Sequence, residues 1–97
     1  MCRNIKTLHH FVPPATPAEI HASAAQYVRK LSGMRNPSRT NRAAFERAVE
    51  QVFGATTLLL ETLEAQGAPR TREKEREKAT ARGRQREARL LARISTV

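Results

Sequence analysis

The sequence contains no aspartate and no tryptophan, and its only cysteine is Cys2. Each absence removes a class of chemistry. Without aspartate, the usual residue for holding Mg²⁺ or orienting a catalytic histidine is missing. A Cys2 nucleophile with His9 or His10 as its base would therefore lack the orienting group that such sites use. A lone cysteine forms no internal disulfide, and nothing points to an oxidising compartment. No apolar run approaches the ~20 residues that span a bilayer. The first ten residues are interrupted by Arg3, Asn4, Lys6, His9 and His10, so they lack the apolar centre of a secretory signal. The expectation is a cytoplasmic protein with no membrane partner.

What the chain has instead is positive charge. Eighteen Lys and Arg stand against nine acidic residues, a formal net charge of +9. The distribution is uneven. Residues 1–67 carry eight basic and five acidic side chains (+3), and residues 68–97 carry ten and four (+6). Arginine outnumbers lysine fourteen to four, which suits forked recognition of phosphates. A genome rich in Arg and Ala codons is the plainer explanation of the same ratio. All nine acids are glutamate, a better helix former than aspartate. A chain of 97 residues holds one domain at most.

Residues 1–15 read as an arm. Ile5, Leu8 and Phe11 recur every three residues and would dock it, before Pro13-Pro14 forces an extended backbone. Thr16-Pro17-Ala18-Glu19 is a capping box with proline at the first helical position. Ile20, Ala24, Tyr27, Val28 and Leu31 then fall on one face, and Gly33 is placed to stop the helix. This predicts a helix over 17–32. After a turn of about six residues, with Asn36 before Pro37 and Ser38 as a cap, a second helix is predicted over 39–66. Its stripe is Phe45, Val49, Val52, Thr56, Leu59 and Leu63, widened by Phe53 and Leu60, and Gly67 and Pro69 end it. Residues 70–86 contain no large apolar side chain to dock on a core, and the TREKEREK segment alternates in sign. The tail 68–97 is therefore read as disordered or as a fraying helix. Leu90, Leu91, Ile94 and Val97 are spaced for a short amphipathic end.

Several of these segments, in order, carry a family resemblance. MCRNIKTL, PPAT with EI three residues later, QYVRKLSG, PS with Asn41 three positions after Ser38, and AFERAV resemble the domain of unknown function 2277 family, from Met1 to about Leu63. The resemblance implies a small, mainly helical prokaryotic domain. It implies no activity, and the tail looks like an appendage to it.

Three candidate sites remain. Cys2, His9 and His10 have metal-binding donors but not metal-binding spacing, with His21 as a conceivable fourth ligand if the arm folds back on the first helix. A reactive Cys2 thiol near Arg3 and Lys6 is an alternative, and a small apolar role for Cys2 is the simplest reading. The bend between the helices gathers Arg29, Lys30, Arg35, Arg39 and Arg42 with no acid between them, beside Ser38 and Asn41 at the start of the second helix. Forked guanidiniums and a helix N-terminus favour a phosphate there. Helix caps with solvated charges explain the same residues. In the tail, Arg82, Arg84, Arg86 and Arg89 are candidates for contacts with a nucleic acid backbone. The four aromatics, Phe11, Tyr27, Phe45 and Phe53, all precede the tail, so it lacks stacking groups.

The reading is an all-α protein: an arm on an antiparallel two-helix hairpin (residues 1–67) with a basic tail (68–97). The expected function is non-enzymatic, cofactor-free binding of DNA or RNA phosphates. The alternative is a homodimer or protein-interaction module built on the stripe of helix 39–66. A thiol or metal site at Cys2 ranks third.

Overall fold

The computed structural model describes residues 5–95, which form three helices: α1 (Pro17–Ser32), α2 (Arg42–Thr62) and α3 (Arg72–Ser95). The fold is all-α. Among the described residues the only β-type pairing is an isolated parallel bridge between Phe11 and Arg70.

α1 forms where its caps dictate. Thr16 is extended at the N-cap, its hydroxyl accepts the Glu19 N–H at 3.2 Å, and the Glu19 carboxylate accepts the Thr16 N–H at 3.0 Å. The helix ends at Gly33, whose left-handed backbone (φ 70) lets its N–H reach the Arg29 carbonyl at 2.9 Å.

α2 is shorter than expected at both ends. Ser38 closes a turn instead of starting the helix: its carbonyl and hydroxyl both accept from the Asn41 N–H, at 3.1 and 3.4 Å. The helix therefore begins at Arg42. At the other end Leu63 turns extended (ψ 134), and the Thr62 hydroxyl bonds back to the Leu58 carbonyl at 2.9 Å. The helix stops four residues before the expected 66, because the chain must turn to bring Gly67 onto the arm.

Among the described residues, α1 and α2 are the only two helices that pack together. Ile20, near the start of α1, shares a groove with Thr57 and Leu60, near the end of α2, as antiparallel neighbours must. The core is small: Ala24, Ala25, Val28 and Val49, with Phe45, Ala48, Val52 and Phe53 packed against it. Tyr27 and Leu31, expected on the buried face of α1, are exposed, Leu31 to 70 %. Ala24 and Ala25 take the inner positions with Val28 instead. α2 buries its expected stripe at Phe45, Val49 and Val52 but departs from it toward its C-terminal end. Leu59 and Leu63 face solvent and Ala48 packs inward, while Phe53 packs inward as expected.

The arm lies across the open end of the hairpin, with Leu8 and Phe11 half-buried in that groove. The segment 67–72 docks on it, contrary to the expectation that nothing in 70–86 can do so. Docking here uses guanidinium groups rather than apolar side chains. The Val12 N–H donates to the Arg70 carbonyl at 3.0 Å, and the Arg70 N–H donates to the His10 carbonyl at 2.7 Å. Arg70 Nη1 reaches the His9 carbonyl at 2.8 Å. Because a carbonyl only accepts, His10 Nε2–H donates to the Gly67 oxygen at 2.9 Å.

Of the two alternatives for the tail, the structure takes the helix. Thr71 caps α3, its hydroxyl accepting the Lys74 N–H at 3.2 Å, and Glu73 and Glu75 suit the positive end of the helix dipole. α3 packs on neither α1 nor α2.

Candidate nucleic-acid interface

At the hairpin bend, Arg29 is turned inward along the chain: its Nε donates to the Arg35 carbonyl at 3.2 Å and braces the loop. The Met34 N–H donates to the Ser32 hydroxyl at 3.2 Å. Lys30, Arg35, Ser38, Arg39, Asn41 and Arg42 are exposed. Asn41 occupies the N-cap position of α2 without a side-chain cap bond, and the first turn of α2 holds no acid. The expected residues run from the end of α1 through the loop to the first residue of α2, with Arg29 already committed to the backbone.

On α3 the charges sort themselves by position. Residues 72–78 carry four basic and three acidic side chains; residues 79–95 carry five arginines and only Glu87. At about 100° per residue, Arg82, Arg86 and Arg89 lie within about 60° of each other on the helix circumference. Arg93 continues the same spacing. Arg84, expected to act with them, lies roughly on the opposite side. There it shares a shallow depression with Glu73, Arg76, Glu77 and Thr80. Glu75 is engaged by Lys78 at 3.3 Å and by Arg70 at 4.0 Å.

The strongest polar cluster was not foreseen. Arg72 grips the Glu19 carboxylate with Nε (3.1 Å) and Nη2 (2.7 Å), and the Pro13 and Pro14 carbonyls with Nη1 (2.8 Å) and Nη2 (3.3 Å). Its guanidinium carbon stands 5.3 Å from the centre of the Phe11 ring, within cation–π range. The Arg72 bond first, then the Thr16 N–H, hold the Glu19 carboxyl down at about 2. The same pair raises the Arg72 guanidinium above its ordinary value. The residues that start α1 thus also anchor the start of α3. The Thr71-Arg72-Glu73 segment carried a readable helix start, a Thr cap followed by acids, but no periodicity marks an arginine that docks by hydrogen bonds.

The described histidines of the arm turn to other partners. His10 is tied to Gly67, the His9 and His10 rings stand 5.9 Å apart, and His21 pairs instead with Glu50 on α2 at 3.2 Å while its ring meets Phe53. Among the described residues no three His, Cys, Asp or Glu side chains gather to hold a metal ion. Cys2 lies outside the described residues. His9 and His10 instead line, with Leu8, Phe11, Leu60 and Leu63, a groove of about 400 Å³. Among the described residues no helix is long and apolar enough to cross a membrane.

Comparison with known proteins gives a family and no activity. No curated protein and no solved structure matches the chain. A family described as an uncharacterized conserved protein matches residues 1–78, past the Leu63 limit of the resemblance and through Arg70 and Arg72 into the first turns of α3. The chain therefore belongs to the DUF2277 family.

Proposed function

We propose that this chain is a non-enzymatic, cytoplasmic binder of nucleic-acid phosphate backbones, with the distal half of α3 as its main contact and the hairpin bend as a second. The observation that carries the reading is the edge formed by Arg82, Arg86 and Arg89, on a helix that packs against no other helix. Guanidiniums pair with phosphate oxygens as forks, and each phosphate they neutralise releases counterions. At the bend, Arg35, Arg39 and Arg42 stand beside the uncapped first turn of α2, where amide donors and the helix dipole favour an anion. The test is fluorescence anisotropy with a labelled nucleic acid at low and physiological salt. The triple change Arg82→Ala, Arg86→Ala, Arg89→Ala should weaken binding about tenfold or more, and Arg35→Ala with Arg39→Ala should weaken it less. Binding unchanged in both variants would refute the reading.

A second reading, a homodimer or protein-interaction surface, rests on a different observation. Leu58, Leu59 and Leu63 are 62 %, 52 % and 43 % exposed on one end of α2. Analytical ultracentrifugation of the full chain tests it: a dimer that Leu58→Glu dissociates supports it, and a monomer at all accessible concentrations removes the homodimer form.

A further inference from the structure

The phosphate reading leaves the kind of nucleic acid open, and the shape of α3 narrows it. The helix runs 24 residues, about 36 Å at 1.5 Å per residue, without an interior proline. Its arginine edge is straight and thin. Arg82, Arg86 and Arg89 point the same way, with Ala79, Leu90 and Gly83 on one flank and Gln85 and Ala92 on the other. Gly83 is half-buried, and an added Cβ there would meet the Arg86 guanidinium at 3.9 Å, an ordinary contact. A straight helix with one arginine edge, packed against no other helix, suits a groove rather than a flat surface.

We propose that α3 lies in the major groove of B-form duplex DNA, with the Arg82–Arg86–Arg89 edge along the phosphates of one groove wall; this rests on the phosphate-binding reading above. The B-form major groove, about 12 Å wide, admits a helix of about 10–12 Å diameter. A-form RNA does not, because its major groove is deep and narrow. A single strand is bound by stacking its bases on aromatic rings, and α3 has none: all four aromatics lie at Phe53 or before it. Arginine is also the side chain that forks onto guanine in this groove. The rest of the molecule supports the docking: Arg72 clamps the root of α3 to the arm and to α1, so the helix leaves the body in a set direction.

The test uses the full chain and three labelled probes of equal phosphate number: a DNA duplex, an RNA duplex of the same sequence, and a single DNA strand. Anisotropy at one salt concentration should rank the DNA duplex roughly tenfold or more above the other two, since only it offers an open major groove. Replacing Arg82, Arg86 and Arg89 together by Ala should abolish that preference and flatten the salt dependence by about 0.9 in log–log slope for each phosphate no longer neutralised. Arg84→Ala, on the far side, should leave the preference intact. Equal affinity for the three probes, or a preference for RNA or the single strand, overturns the groove inference while leaving phosphate binding standing. A duplex preference that survives the triple change overturns it too. Absence of binding to any probe overturns both.

Discussion

Arg72 donates from Nε and Nη2 to the two carboxylate oxygens of Glu19, at 3.1 and 2.7 Å, across 53 positions of the chain. Glu19 already closes the capping box of α1. The pair therefore makes one carboxylate serve two helix starts, and it joins a segment near residue 70 to an arm near residue 10. The joint holds together the pieces that the small α1–α2 core does not reach.

Because the joint depends on forked geometry, charge alone should not preserve it. Arg72→Lys keeps the charge and loses the fork. Amide exchange measured by NMR should then speed up by about tenfold or more at Val12 and Arg70, whose N–H groups bond the arm to the 67–72 segment, in keeping with a local opening. Exchange at Val49, in the α1–α2 core, should stay as it was. Equal acceleration at all three sites would show that Arg72 supports the whole domain and not the joint.

The Glu19 carboxyl gives the joint a pH dependence. Arg72 and the Thr16 N–H lower it from 4.5 to about 2 in the folded chain. A carboxyl held low stabilises the fold fully above its unfolded value and loses that contribution as pH falls through its folded value. Protection of the Val12 and Arg70 amides should therefore be constant above about pH 4.5 and decline from there toward pH 2. Glu19→Gln should show weaker protection with no such decline. A wild-type profile flat over this range would contradict the assignment.

Two glycines should respond in opposite directions. Gly54 sits in the helical part of α2 with nothing within 4 Å of an added Cβ. Gly54→Ala should stabilise by about 1 kcal/mol and raise Tm by roughly 4–8 °C. Gly67 adopts φ 77 where the chain turns onto His10, so Gly67→Ala should cost about 1–2 kcal/mol. Calorimetry on the two variants checks both signs.

Ile20 is 6 % exposed and links the core to the groove under the arm. Ile20→Ala should cost roughly 2–5 kcal/mol, a large share of what a domain this size possesses. Urea unfolding followed by circular dichroism would read the lowered midpoint. Leu31→Ala, on an exposed side chain, should leave it nearly unchanged.

Much of this was legible in the residues, and the rest was not for definite physical reasons. α1 matches its expected 17–32 limits because its start and stop are written locally, in Thr16-Pro17-Ala18-Glu19 and Gly33. The start of α2 was misplaced because Ser38 closes a turn on Asn41 instead of capping the helix, and its end because Ala65 and its neighbours are acceptable in a helix while the chain turns to bring Gly67 to His10. Tyr27, Leu31 and Leu59 show that a helical period fixes a face only to within a residue or so, and small alanines can take the contact. At the candidate interface, the spacing of Arg82, Arg86 and Arg89 was in the sequence, but it acquires a direction only once residues 72–95 are helical. The docking of Arg70 and Arg72 had no signature, since one arginine that grips carbonyls reads like any other.

The central claim is that the distal half of α3 engages phosphates, and the salt dependence of binding tests it most directly. Full-length protein is titrated against a labelled DNA duplex over a series of salt concentrations. The account predicts a straight line of log affinity against log salt, with a slope near −3 or steeper, from about 0.9 for each phosphate met by Arg82, Arg86 and Arg89 and further phosphates met at the bend. Binding with no dependence on salt, or no binding at any concentration, would contradict it.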